Sequence, residues 1–433
     1  MSDVADALGC VSSETYFMAM SNPSGTRFQI VARTGHPPFL DLPWSTPLDS
    51  WRHERMVEVA RGISRHAVCF VDYDGRLYAL KELPERLAQR EYGLLRHLEE
   101  ESIPAVEVVG TVSDRGEGLD AVLITRHLDF SLPYRTLFSS ASAERLRTGL
   151  LAALAELLVR LHLGGFFWGD CSLSNTLFRR DAGALAAYVV DTETSELHPE
   201  LSNGQRSYDL DIVEENVAGE LLDIEAEGAT GIGPDPLEAA RQLRAQYERL
   251  WTELTQEERL GGDENARIEA RIRRLNAIGY DIDEIELVRD GDDTRLRLRP
   301  QVVEPGHHTR RLHSLTGLDV QENQARRLLN DIASFRAALA RLDEGRTPPE
   351  AVAAYRWRTE IFDPSIAAVP ARLRGKREPA EIFHEILEHR WFMSERFGRE
   401  VDTDIAVADY VKNALSLVPD EQVLLADPSS SEL

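Results

Sequence analysis

Five side chains in the first half of this chain, three acids, an amide and a lysine, are of types that could neutralise and align a phosphate group. Within WGDCSLSN, residues 168–175, Asp170 and Asn175 are spaced D-x-x-x-x-N. The apolar run that follows ends on Asp191, the first residue of Asp191-Thr192-Glu193. Upstream, LYALKEL at 77–83 carries Lys81 in a strand-like stretch, and REYGLL at 90–95 opens a helix with Glu91. A phosphoryl group in transfer asks for little covalent help and much charge neutralisation and alignment. A carboxylate can take the proton of an attacking hydroxyl, and Asp and Asn oxygens suit a hard divalent cation. Positioning of this kind can lower a barrier by about 7–11 kcal/mol. Singly, each residue has a plain structural reading: a lysine in a strand is usually a solvated edge residue, and an acid after a strand is usually a turn residue. The weight lies in four elements falling in order.

Those residues need elements to position them. Residues 142–163 carry Leu146, Leu150, Leu154, Leu157, Leu158 and Leu161 at helical spacing. Gly164 and Gly165 then stop the helix just before the loop. Ala121 to Thr125 reads as a strand, and Phe28-Gln29-Ile30-Val31 as a short one.

Helix, glycine stop, loop, short strand and acid, in that order, resemble the C-lobe of the protein-kinase-like superfamily, and within it the lipopolysaccharide-kinase-like branch. The resemblance implies an α+β fold: a bilobal protein-kinase-like domain followed by a mainly helical accessory domain with a β-hairpin. It implies that Asp170 accepts or orients the proton of the attacking hydroxyl. Lys81 would reach the ATP phosphates and be held by Glu91, while Asn175 and Asp191 would hold Mg2+. At the nucleotide it places Gly62 and Ser64 over the phosphates, Ala79 on the base, and backbone groups of Arg126 to Leu128 at the adenine edge. The implied activity is ATP-dependent transfer of the γ-phosphate to a hydroxyl of a sugar, another small molecule or a protein. The chain departs from the family pattern at three places. Trp168 and Gly169 precede the loop Asp, the metal motif is Asp191-Thr192-Glu193 rather than D-F-G, and GISRHAV at 62–68 keeps one glycine of the phosphate-covering loop. Arg65 and His66 there could contribute side chains to the phosphates. A different class of function, a catalytically inactive nucleotide-binding regulator or scaffold, uses the same fold without turnover.

Composition bounds the remaining options. The 433 residues suggest two or three domains, and 42% hydrophobic with 28% charged residues is ordinary globular composition. The three cysteines, Cys10, Cys69 and Cys171, are scattered and form no disulfide framework or zinc motif. A net charge of −25 disfavours nucleic acid and anionic membrane surfaces. No apolar run is long enough to span a bilayer and MSDVADALGC lacks a signal-peptide pattern, so a cytoplasmic enzyme is expected.

The reading divides the chain into a disordered extension at 1–25, a proline-rich arm at 26–47 and a kinase-like domain at 48–225, with the N-lobe ending near 125. A linker at 226–236, an accessory domain at 237–420 and a disordered tail at 421–433 follow. Within the accessory domain, residues 236–259 and 262–278 read as charged helices and 285–304 as a hairpin. The segment around Gly317 reads as two helices joined by a turn, which raises a helix-turn-helix DNA module, but neighbouring acids offset its arginines. AEIFHEILEHRW fails as a zinc motif because His384 and His389 are five apart, about 140° around a helix. His384 is expected to be a partly buried structural residue on a face with Leu387 and Trp391. This region resembles a bacterial family of unknown function that accompanies the kinase-like module, and a protein partner is expected to use it.

Overall fold

A computed structural model describes residues 15–21, 27–59, 65–139, 143–226, 235–255, 258–260, 284–289, 296–301, 306–342, 347–399, 401–418 and 420–421. Alternating apolar residues build the first lobe. Strands β1 (Thr15–Ser21), β2 (Arg27–Arg33), β3 (Met56–Val57), β4 (Val68–Tyr73) and β5 (Arg76–Leu83) lead to helix α1 (Glu85–Glu100), then β6 (Val108–Ser113) and β7 (Ala121–Arg126). They form a seven-stranded sheet in the order β1-β2-β6-β7-β5-β4-β3. Every neighbouring pair is antiparallel. Asp74 and Gly75 turn β4 into β5 with φ of 56° and 79°, the left-handed geometry that matches strand twist in a tight hairpin. Ala88 and Leu95 of α1 pack on one face of this sheet with Leu83, Val108 and Leu123.

The proline-rich arm covers the opposite face. Phe39, Trp44 and Trp51 are fully buried against Tyr78, Leu80, Val112 and Ile124, each contributing roughly 1.5–3 kcal/mol of burial. The buried Arg115 ties the arm down, donating to the Trp44, Thr46 and Asp120 carbonyls and pairing with Glu82.

Helices α2 (Tyr134–Ser139) and α3 (Ala143–Leu163) begin the second lobe, followed by β8 (Phe166–Phe167), β9 (Thr176–Asp181), β10 (Ala184–Val189), β11 (Glu196–Leu197), α4 (Asn203–Ala226) and α5 (Pro236–Thr255). Leu150, Leu154, Leu157, Leu158 and Leu161 of α3 are buried in one cluster with residues of α4 and α5.

Beyond it, β12 (Glu258–Leu260), β13 (Glu284–Arg289) and β14 (Leu296–Gln301) form a small antiparallel sheet. Helices α6 (His307–Thr316), α7 (Glu322–Leu342), α8 (Glu350–Trp357), α9 (Asp363–Ala368), α10 (Pro379–Phe397) and α11 (Thr403–Asn413) complete the chain. Trp357, Phe362 and Phe383 centre one of their two apolar clusters. The chain thus has the α+β architecture read from its motifs, with an antiparallel sheet lobe, a second lobe built on α3, α4 and α5, and a helical C-terminal region.

Several boundaries differ from the sequence reading. Residues 15–21, placed in a disordered extension, form β1, and the arm supplies β2 to the lobe sheet before residue 48. Helix α5, assigned to the accessory domain, packs Ala239, Leu243 and Tyr247 into the second-lobe core. Its charged surface concealed a buried stripe at i, i+4, i+8. Glu421, placed in the tail, is buried and paired with Arg180 and Arg377. Trp391 shares an angular face with His384 but lies beyond the packed part of α10 and is exposed. The expected helix at 262–278, most of the linker and the turn of the β13–β14 hairpin lie outside the described residues. Helices α6 and α7 do meet at a left-handed Gly317. The N-terminus of α7, the end a recognition helix presents to DNA, is instead covered by Asp181 of the second lobe.

Candidate active site

Residues 168–175 run across the top of the second lobe, and their backbone is held from below by α4. Asp209, fully buried, accepts hydrogen bonds from the Trp168 N–H at 2.8 Å and the Gly169 N–H at 2.9 Å. Its Oδ2 also meets His162 Nε2 at 3.0 Å, and the other nitrogen of that ring meets the Tyr247 hydroxyl at 2.7 Å. Glu220 accepts from the N–H groups of Leu173 and Ser174 at 2.7 and 3.0 Å. Between them the Asn216 amide donates to the Cys171 carbonyl at 3.0 Å and to Asp170 at 3.4 Å. Positions 209, 216 and 220 fall within about 40° of one another on a 3.6-residue helix. A polar stripe on an otherwise apolar helical face was the signal in the sequence, and the D-x-x-x-x-N pattern did not include it.

Local chemistry fixes the loop further. Gly169 has φ of 78°, and a Cβ there would lie 3.0 Å from the Thr194 carbonyl oxygen, so only glycine fits. Asn175 donates to the Asp170 carbonyl at 2.9 Å and approaches its carboxylate at 3.4 Å, joining the two motif residues. Burial pushes the Cys171 thiol well above its ordinary range, with the acids around it adding to the effect. That thiol is an inert packing group.

The first lobe supplies the other half. Ala79 and Lys81 lie on one half-buried face of β5, two residues apart, as strand alternation requires. Lys81 Nζ sits 3.0 Å from Glu91 and 2.7 Å from Asp191, with Glu193 at 3.7 Å. One cation between carboxylates has two consequences. Burial opposes the Lys81 charge, but Glu91 and Asp191 outweigh it and its pKa rises, so the ammonium persists. Glu91, almost wholly buried, is pushed up to about 7 by desolvation and then by Asp191, with Lys81 pulling the other way. Thr192, between the two motif acids, buries a hydroxyl that has no hydrogen-bond partner.

Two residues of the phosphate-loop segment cross the cleft. Arg65 lies 3.2 Å from Asp170, and His66 lies 2.8 Å from Glu193. Because these neighbours reach Asp170 on one side and the Lys81 cluster on the other, all five motif residues belong to one site. Gly62 and Ser64 lie outside the described residues. At the proposed adenine edge, the Arg126 and His127 N–H groups donate to the Glu107 and Leu77 carbonyls within the lobe. The Leu128 carbonyl accepts from Ser131. The Arg126 side chain pairs with Glu107 and Asp129 at 3.4 Å each. Of the backbone groups expected at an adenine edge, the Arg126 and His127 N–H groups are thus already engaged within the lobe.

Residues 75–225 match the family described as lipopolysaccharide kinase (Kdo/WaaP), and residues 249–415 match a domain of unknown function, DUF4032. A solved structure titled "WaaP in complex with acyl carrier protein" is similar at 19% identity with a TM-score of 0.34, over 57% of this chain and 94% of that one. No curated protein sequence matches. Both family matches agree with the resemblances carried by the motifs. No helix among the described residues is long and apolar enough to cross a membrane.

Proposed function

We propose, from the premise that residues 75–225 are a lipopolysaccharide-kinase-family segment, that this chain is an ATP-dependent phosphotransferase acting on a hydroxyl of a sugar or another small molecule. The observation that carries the reading is Lys81 held between Glu91 and Asp191, at 3.0 and 2.7 Å, facing a loop whose Asp170 and Asn175 are already joined. Asp170 would take the acceptor proton as the acceptor oxygen bonds to the γ-phosphorus and the bond to the β-phosphate oxygen breaks. Lys81 would neutralise phosphate charge, and Glu91 would keep its ammonium in place. Ala79 would lie against the base, and Leu128 would contact the adenine edge.

The donor chemistry fits a hard cation. Asn175 and Asp191 offer oxygens, and no closed cluster of three His, Cys, Asp or Glu ligands exists among the described residues. Mg2+ commonly takes only one or two protein carboxylates and completes its shell with phosphate oxygens and water. When bound it would supply charge neutralisation at the phosphates.

A second reading, a nucleotide-binding regulator without turnover, draws on the Arg65–Asp170 ion pair at 3.2 Å, which engages the carboxylate a base needs. Thermal unfolding with and without Mg-ATP, on the wild type and Asp191→Asn, tests the site. Saturation at 100 times the dissociation constant adds ~2.7 kcal/mol. A shift that requires both Mg2+ and Asp191 is expected, and no shift at millimolar nucleotide sinks both readings. Turnover then separates them: an enzyme loses about 100-fold or more in Asp170→Ala while still binding nucleotide, whereas a regulator has no activity to lose.

A further inference from the structure

The β9–β10 hairpin connects the two residues read as cation ligands. Strand β9 begins at Thr176, immediately after Asn175, and β10 ends at Val189, two residues before Asp191. Six residue pairs join the strands, and at the base the Val190 N–H donates to the Asn175 carbonyl at 3.1 Å. A twist or tilt of this ribbon therefore moves both side chains together. Its far end, about 20 Å away at strand rise, does not face solvent but is gripped by the C-terminal helices.

The grip is polar, buried and directional. Asp181 caps the N-terminus of α7, accepting from the N–H groups of Asn323 at 3.1 Å and Gln324 at 2.8 Å and from the Asn323 amide at 3.0 Å. In return Glu381 of α10 accepts from the Ala182 N–H at 2.8 Å and the Gly183 N–H at 3.4 Å. The Gln324 amide donates to the Arg180 carbonyl and to Glu381 at 3.1 and 3.0 Å. Asp181, Gln324 and Glu381 are each at most 3% exposed. Arg179 pairs with Glu378 at 2.8 Å and Arg180 with Glu421 at 3.2 Å, while Gln321 meets the Tyr188 hydroxyl. Ala182 itself sits at φ of 53°, a left-handed conformation that is strained for a residue with a Cβ. Glu381 holds it there. An apolar patch would suffice to tether a domain, whereas reciprocal capping by buried groups fixes an orientation.

We propose that the C-terminal helical unit is a working part of the phosphotransfer site, acting through the β9–β10 hairpin to set the geometry of Asn175 and Asp191. Asp181, Gln324 and Glu381 are then positioning residues for the cation. The metal side of this proposal rests on the phosphotransferase reading, while the mechanical side does not.

The test uses the full chain, with Asp181→Asn and Gln324→Ala beside the wild type and Arg311→Ala as a control on an exposed ion pair. Binding of the non-hydrolysable analogue AMP-PNP is measured with Mg2+ and with EDTA, and amide hydrogen exchange is followed by mass spectrometry. The expected result is at least a tenfold loss of the Mg2+-dependent gain in affinity, with EDTA affinity unchanged. Amides of 170–176 and 189–193 should exchange faster. If Asp181→Asn does not fold, Gln324→Ala, which keeps the carboxylate, carries the same expectation. Exchange that quickens only at the hairpin tip and in α7, with the Mg2+ gain intact, overturns the proposal. If wild type binds no nucleotide under any condition, the phosphotransferase reading falls, and exchange at 170–176 and 189–193 alone decides whether the hairpin transmits the grip.

Discussion

The floor and the roof of the cleft are built by different physics. The floor, residues 168–175, has backbone N–H groups fixed by two carboxylates of α4, the fully buried Asp209 and the half-buried Glu220. Across the cleft the roof meets the second lobe through side chains: Lys81 to Asp191, His66 to Glu193, and an 80% exposed Arg65 to Asp170. Buried carboxylate-to-backbone bonds cost several kcal/mol to break, whereas an exposed ion pair contributes little. The floor is therefore held rigidly, whereas the exposed Arg65 contact can exchange for an anionic ligand at small cost.

That contrast can be broken from either side. The largest effect is expected for Asp209→Ala, which strips three donors of one buried acceptor. Loss of about 3–5 kcal/mol, read as a lower urea midpoint, should come with loss of nucleotide binding. Unchanged stability would mean that α4 does not hold the floor.

The next effect is on pH dependence. Glu91 has a folded pKa of about 7 against an ordinary 4.5, so between those values the folded chain keeps a proton that the unfolded chain has released. Its contribution to stability is complete below about 4.5 and is lost as pH rises through about 7. Asp181, raised to about 7 chiefly by burial, adds a slope of the same sign. Stability of the nucleotide-free protein should decline across this window by an amount on the order of a few kcal/mol. Glu91→Gln should remove part of that decline in chemical unfolding curves taken at several pH values. A flat wild-type profile would contradict the crowding of carboxylates around Lys81.

Arg65→Ala should change least, within about 0.5 kcal/mol in stability. If Arg65 meets phosphate when nucleotide binds, calorimetry should show weaker Mg-ATP binding despite the unchanged fold. A stability loss as large as that of Asp209→Ala would erase the distinction between roof and floor.

Much of the site was legible because its parts are local. D-x-x-x-x-N, the strand lysine and the acid after an apolar run each occupy a short window, and their order suffices to suggest a lobe. Asp209, Asn216 and Glu220 escaped because their spacing means something only once α4 is laid under the loop. The proline-rich arm wraps over the sheet lobe, and β2 within it pairs with β6, 78 to 84 residues later in sequence. No local pattern specifies a strand's partner at that distance.

The amino-acid sequence determined the long α3 helix with its glycine stop, and the identities of Lys81, Glu91, Asp170, Asn175 and Asp191. These follow from periodicity, turn residues and side-chain type, which act over a few positions. The tertiary structure alone decided that α5 belongs to the second lobe and that Glu91 is buried beside Asp191, which raises its pKa. It also decided that the tip of β9–β10 is clasped by Gln324 and Glu381, roughly 140 and 200 positions away along the chain. Burial and long-range capping depend on which surfaces meet, and that depends on the whole chain's packing rather than on any one segment.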